Sequence, residues 1–130
     1  MYQAVTHLIA VTVEPQFLAD RSEPRQNQFF WAYTVDIENR SDKAVQLKRR
    51  HWIITDGRGQ RHEVKGPGVV GEEPIIGPGE SFRYTSGCPL DTPDGFMVGH
   101  FTMIGEDGDT FLIDIPAFSL DIPVPRRLLN

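Results

Sequence analysis

Apolar and polar residues alternate along most of this chain with a period of two, which is typical of half-buried β-strands. In the clearest stretch every second residue is large and apolar: Trp31, Tyr33, Val35 and Ile37. Ile9, Val11 and Val13 repeat the pattern nearer the N-terminus. No window shows the 3.6-residue apolar period of an amphipathic helix, and ten prolines and twelve glycines leave little room for one. The pattern therefore predicts a chain of strands.

Short runs of turn-forming residues divide these strands from one another. They lie at 39–42, 56–59, 78–79, 86–87 and 105–108. The strands expected between them cover 44–55, 62–65, a segment around Phe82 and Tyr84, 96–104 and 110–115. Pro116 has no N–H to donate to a sheet, so we expect it to bend or end the last strand.

Many short strands of this kind predict an all-β protein, and the polar outer positions favour a β-sandwich, in which a second sheet covers each apolar face. At 130 residues the chain has room for one domain. Residues 20–27 are polar and resemble a mobile linker, and 122–130 are too rich in proline for a regular element.

Composition narrows the classes of partner. A formal net charge of −5 and an isoelectric point near 5.3 argue against nucleic acid, because phosphate binding requires a positive field. No apolar run reaches the roughly 18 residues of a membrane span, and the N-terminus lacks the features of a signal peptide. The single cysteine, Cys88, fits a reducing cytoplasm, where disulfides are rare.

Gly66, Gly68 and Gly71 have the GxGxxG spacing that cradles pyrophosphate in dinucleotide-binding enzymes. In those enzymes the glycines follow a strand and open a helix. Here a strand precedes them, but prolines and glycines at 74–79 forbid a helix, and Glu72 and Glu73 would repel a phosphate. We therefore expect the glycines to serve a tight loop through positive φ angles.

Other candidate chemistry is sparse. With a turn centred on Gly57 and Arg58, His51 and His62 would lie diagonally on one strand-pair face, and a three-residue turn would reverse this. No third ligand accompanies them, so we expect no metal site. Cys88 has no evident base and is expected to be a semi-buried packing residue. The basic run 48–51 could bind an acidic partner, although it also suits a solvated strand face.

The blocks around these candidates resemble one family. The run from Gly66 to Met103 contains GVVG, PG, SG and TP blocks, preceded by RHWIITDG at 50–57 and followed by FLIDIPAFSL at 111–120. Together they resemble the ApaG family over nearly the whole chain, from about 2 to 123. Phe101 departs from the tyrosine that the family more often has.

The resemblance implies a fibronectin type III-like or immunoglobulin-like β-sandwich of about seven strands, with an ApaG domain over 1–125 and a short tail over 126–130. ApaG domains are also joined to eukaryotic F-box and polymerase-interacting proteins, which implies protein binding. Bacterial members are linked to cobalt and magnesium efflux without an established activity, and the glycine motif has prompted a pyrophosphate-binding role.

We therefore expect a non-enzymatic, cytoplasmic module without a cofactor that binds another protein, a homodimer being one option. The alternative is a binder of pyrophosphate, a nucleotide or a divalent ion through the glycine loop or the strand histidines. Contact residues for a partner are expected at the loop tip and the basic run: Val69, Val70, Arg49 and Arg50. Pro67 and Pro74 would limit the freedom of that loop, and rigid loops on a scaffold often carry function.

Overall fold

The computed structural model describes residues 1–123 and contains nine strands in two antiparallel sheets. The first sheet has the order β1-β2-β3-β7, and its strands are β1 (Tyr2–Thr6), β2 (Ile9–Phe17), β3 (Phe29–Asn39) and β7 (Ser81–Leu90). The second has the order β5-β4-β8-β9, with the two-residue β6 also paired to β4. Its strands are β4 (Val45–Asp56), β5 (Arg61–Pro67), β6 (Ile75–Ile76), β8 (Gly95–Gly105) and β9 (Thr110–Leu120). The predicted β-sandwich is confirmed, with nine strands where about seven were expected.

The core lies between the sheets and follows the alternation of the sequence. In β3 every odd-numbered residue from Phe29 to Asn39 is buried and every even-numbered one is half-buried. Trp31 and Trp52 are both core residues, as their patterns predict. Phe101 is fully buried, and its ring lies edge-on to that of Trp52 at 6.4 Å between centroids.

Two local expectations were wrong, and a third was right in part. The sequence around Ser86 and Gly87 does not end a strand: β7 runs through to Leu90, and Gly87 lies opposite Ala32, where a Cβ would collide with the Phe30 ring at 2.6 Å. Glycine is required at position 87, but the reason is the close approach of the Phe30 ring across the sheet and not a turn.

Pro116 was expected to bend or end the last strand, and it bends β9 without ending it. The β8–β9 register shifts between Met97 and Gly99, so that Gly99 faces Ile115 while Met97 faces Phe118. A β-bulge therefore holds Pro116 within the strand and removes the need for its missing N–H. The strand bends and continues to Leu120.

The polar segment 20–27 has regular local structure, with the 3₁₀ turns Ala19–Arg21 and Pro24–Gln26. Ser22 ties it down: its hydroxyl donates to the Leu18 carbonyl at 2.8 Å and accepts from the Phe30 N–H at 3.0 Å. The linker-like reading of this segment was wrong. The predicted domain end at 125 and the tail 126–130 lie outside the described residues.

The two sides of the sandwich are closed differently. On one side β9 packs against β1 and β2. There the Asp114 N–H donates to the Thr6 hydroxyl at 3.1 Å, and the Tyr2 and Phe118 rings lie 6.0 Å apart. On the other side the edge strands are β5 and β7, and six of the seven residues of β5 are exposed. This side of the sandwich is open. Over residues 1–123 no helix has the length and apolar character needed to cross a bilayer.

Candidate functional site

The glycine loop is a tight hairpin turn. After β5 the Val69 N–H donates to the Glu72 carbonyl and the Glu72 N–H donates to the Val69 carbonyl, both at 2.8 Å. The two residues between them, Val70 and Gly71, have φ angles of 44° and 79°. Positive φ at both central residues is the mark of a type I′ turn. The sequence motif therefore encodes a reversal of the chain.

Each of the three glycines meets a different requirement. A Cβ on Gly66 would lie 2.9–3.0 Å from the Arg50 guanidinium, and one on Gly68 would lie 2.2 Å from the Glu72 carbonyl oxygen. Gly71 has open space around it but needs its positive φ. Gly68 also has a positive φ, of 60°. The turn-forming role expected for the glycines is confirmed at Gly68 and Gly71, and Gly66 provides space for an arginine.

The polar groups of the loop are directed at the protein itself. The Gly68 N–H donates to the Lys48 carbonyl at 2.9 Å, and the Val69 and Glu72 N–H groups close the turn. Arg50 Nη1 donates to the Pro67 carbonyl at 2.8 Å and to the Gly68 carbonyl at 3.1 Å. A phosphate nest requires convergent free N–H groups, usually ahead of a helix. The β6 strand follows here instead, so the loop gives pyrophosphate little to bind.

The two valines of the loop have opposite environments. Val69 is 1% exposed and belongs to the core, whereas Val70 is 53% exposed. Only Val70 can therefore serve as the apolar contact expected at this tip. Val70 is also β-branched at a φ of 44°, a conformation that costs roughly 1–3 kcal/mol and that glycine or asparagine adopts more readily.

Of the two turns considered for this hairpin, the structure has the three-residue one: the Asp56 N–H donates to the Gln60 carbonyl across residues 57–59. His62 therefore pairs with Ile54 and faces inward, while His51 pairs with Lys65 and lies on the outer face, so the two histidines do not share a face. The neighbour of His51 is His100 of β8, directly opposite in the register. Their ring nitrogens, Nδ1 of His51 and Nε2 of His100, are 3.3 Å apart.

His51 also contacts Glu63 across the other strand pair, with 2.8 Å between Nε2 and the carboxylate. This hydrogen bond, with help from Lys65, lowers the pKa of Glu63. Partial burial and then the His51 charge lower the pKa of His100, which favours its neutral form. Within residues 1–123 no three histidine, cysteine or acidic side chains are grouped so as to hold a metal ion.

The open side of the sandwich contains a cleft of about 540 Å³ between β5 and β7. Its floor is aromatic and apolar, with contributions from Tyr33, Trp52 and Met97. Val64 and His62 form its outer wall on β5 and are 40% and, by side chain, 54% exposed. A second hollow of about 230 Å³ shares Tyr33, Trp52 and Arg50 with the cleft and reaches the glycine loop at Val70.

Polar groups are concentrated where the two hollows meet. Arg50, Tyr33 and Ser86 line both, and Tyr84 lines the second. The Tyr84 hydroxyl is buried and has no hydrogen-bond partner among the described residues. Burial raises the pKa values of Tyr84 and Tyr33, so both phenols stay protonated at neutral pH. The site can offer hydroxyl and guanidinium donors beside aromatic rings.

Cys88 contributes to the cleft wall, in surroundings that disfavour its thiolate. It is 3% exposed, and burial raises its pKa to about 11. A thiol that stays protonated is a poor nucleophile. The packing role expected for Cys88 is confirmed, in a deeper position than semi-buried.

The side chains of the basic run 48–51 lie on both faces of β4, because successive residues of a strand point to opposite faces. Arg50 faces inward, where its guanidinium holds the glycine loop, while Arg49 is exposed. Lys48 forms an ion pair with Glu73 at 2.6 Å. Arg50 is thus first a structural residue, and the free charge of this run is carried by Arg49.

The ApaG domain model matches residues 19–105, about two thirds of the chain. The chain belongs to the ApaG family. Curated relatives named Protein ApaG include one from Afipia carboxidovorans at 59% identity and one from Mesorhizobium japonicum at 57%, each alignment covering 100% of both chains. A Bordetella pertussis crystal structure described as an ApaA protein shares 47% identity, with a TM-score of 0.87 over 88% of this chain and 94% of that one. The predicted family is confirmed.

Membership in the ApaG family fixes the domain but assigns no activity to any residue of the cleft. Sequence reasoning missed this site, because Tyr33 and Tyr84 follow the same core alternation as the residues that are fully packed. One signal was present. β5 contains a single apolar residue, Val64, among charged neighbours, so it cannot be covered by a second sheet.

Proposed function

We propose that this ApaG-family chain is a non-enzymatic protein-binding module whose partner occupies the open side between β5 and β7. The observation that carries the proposal is the exposed inner face of β5. Val64 and His62 point toward the second sheet, yet β7 does not extend across to cover them. A partly uncovered sheet face above an aromatic cleft is a feature that a partner can complete.

Val70 extends the same surface. It lies at the end of the second hollow, adjoining the cleft through Tyr33, Trp52 and Arg50. A strained, exposed apolar residue beside an aromatic cleft supports a recognition role, because strain persists where function requires the side chain. A cytoplasmic location is part of the proposal, and the lone buried thiol is compatible with it.

Comparative affinity capture tests the proposal, with wild type, Val64→Asp and Leu112→Asp as matched baits. Leu112 is 52% exposed on β9, away from the cleft, and controls for a new surface charge. We expect the same proteins to be captured by wild type and Leu112→Asp and lost from Val64→Asp. Equal capture by all three baits would contradict the proposed surface. Light scattering of the pure chain tells whether the partner is a second copy.

A further inference from the structure

The charge of this chain is distributed unevenly. The chain as a whole is acidic, but the strands that border the open side carry a net positive charge. Residues 48–65 carry six lysines and arginines against two acidic residues, a formal charge of +4. The rest of the chain carries seven against sixteen, or −9. The β4–β5 hairpin is therefore a basic element on an acidic domain. Attraction to this hairpin selects for acidic partners.

Half of these six cations are available, because Lys48 and Arg58 pair with acidic side chains and Arg50 holds the glycine loop. Arg61 and Lys65 are exposed on β5, and Arg49 is exposed beside them on β4. The contacts of Lys65 include Glu63 at 3.8 Å, a weak exposed pair. Within the described residues Arg49 and Arg61 have no ion-pair partner. Acidic groups approaching the outer face of β5 would find uncompensated cations.

The backbone of β5 adds directional donors and acceptors. Asp56 N–H bonds the Gln60 carbonyl, and Gly68 N–H bonds the Lys48 carbonyl, at the two ends of the β4–β5 ladder. Since antiparallel bonding alternates, His62, Val64 and Gly66 bond β4. The N–H and C=O groups of Arg61, Glu63 and Lys65 consequently point away from the sheet, where no strand of the described residues lies.

We propose that β5 binds an extended acidic segment of a partner protein as an added antiparallel or parallel strand. Alternate side chains of such a strand would enter the cleft beside Val64 and Trp52, and the others would lie on the outer face near Arg61 and Lys65. The segment that fits alternates apolar and acidic residues. This inference rests on the proposed function and specifies the chemistry of its partner.

A defined peptide provides the probe: acetyl-Glu-Val-Glu-Val-Glu-Val-Glu-amide, with a counterpart in which lysine replaces every glutamate. Fluorescence anisotropy of labelled peptides should show the glutamate peptide binding at least tenfold more tightly than the lysine peptide. Amide NMR shifts should be concentrated at Arg61, Glu63 and Lys65. Equal affinity for the two peptides, or shifts elsewhere, would overturn the proposal.

Two pairs of variants separate the charge from the backbone. Arg61→Glu with Lys65→Glu should weaken binding of the glutamate peptide at least tenfold, whereas the exposed control Arg25→Glu, in a 3₁₀ turn, should not. Glu63→Pro removes one outward N–H and leaves the β4 ladder intact, so it should weaken binding relative to Glu63→Ala. Equal binding by these last two variants would exclude strand addition.

The proposed function and this inference can fail separately. If Val64→Asp abolishes capture of a partner while the two peptides bind equally, the surface is correct and the acidic segment is wrong. If Val64→Asp captures the same proteins as wild type, both are wrong. Thermal melting of Glu63→Pro confirms that it is folded before its binding is compared.

Discussion

The two long sides of the sandwich differ in how far their apolar inner residues are covered. On the β1–β9 side, β1 lies over β9, and Phe118 is 2% exposed among Tyr2, Tyr33 and Trp52. On the β5–β7 side, the inner-facing Val64 is 40% exposed. Both sides carry apolar inner positions, but only one has a strand to cover them. The closed side is therefore fully packed, and the open side, where we propose that a partner binds, is left partly exposed.

The sharpest way to break this comparison is to truncate one apolar residue on each side. Phe118→Ala should lower the free energy of unfolding by about 3–5 kcal/mol, because it removes a packed ring and leaves a cavity. Val64→Ala should change it by less than about 0.5 kcal/mol, since little area is removed from water. Urea unfolding of both variants is the measurement. A similar loss for both would mean that β5 is covered in solution.

Cys88 measures how far solvent enters the open side. With a pKa of about 11, its thiolate population at pH 8 is roughly two orders of magnitude below that of an ordinary cysteine. Native protein should therefore react with iodoacetamide at least about a hundredfold more slowly than denatured protein. Mass spectrometry follows the modification. Comparable native and denatured rates would show that the cleft opens down to Cys88.

The glycine loop brings the same contrast into two adjacent residues. Val69→Ala should cost about 2 kcal/mol because its side chain is in the core, and Val70→Ala should be close to neutral. Denaturant midpoints of the two variants provide the comparison. The reverse order would mean that the turn is flipped relative to the structure described here.

Val70 also allows a test in which stability and binding move in opposite directions. Val70→Asn should raise the free energy of unfolding by about 1 kcal/mol, since asparagine tolerates the positive φ that valine resists. If Val70 contacts the partner, the same variant should bind it less well, a stability–function trade-off. A thermal melt and the capture assay give the two values. A lower free energy of unfolding for Val70→Asn would mean that contacts of the valine side chain stabilise the loop by more than its positive φ costs.

Most of the sandwich could be predicted from alternation alone, because most inward positions of β3 and β4 carry apolar residues. The errors lie where tertiary contacts redefine a local signal. Gly87 follows a serine and reads as a turn, yet it makes room for the Phe30 ring. Pro116 reads as a strand end, yet a bulge accommodates it. Neither neighbour is visible in a local window.

The site was harder to predict than the fold. Whether His51 and His62 lie on the same face of the β4–β5 pair depends on one residue of turn length. The three-residue turn in the structure places them on opposite faces. His51 meets His100, which is 49 residues away in the chain. The cleft exists because β7 is the edge of its sheet and does not cover β5, and the residue pattern within one strand does not indicate where the opposite sheet ends. Only the charged composition of β5 hinted at an uncovered strand.

Arg50 beneath Gly66 has a consequence for how such sequences are interpreted. One glycine makes way for a guanidinium, one avoids a carbonyl, and one turns the chain back, so three unrelated steric demands produce a single spacing. A pattern search trained on nucleotide enzymes would score this coincidence as a cofactor signature. In this chain the steric and backbone demands of the hairpin account for all three glycines, and the same demands deserve checking wherever GxGxxG precedes a strand.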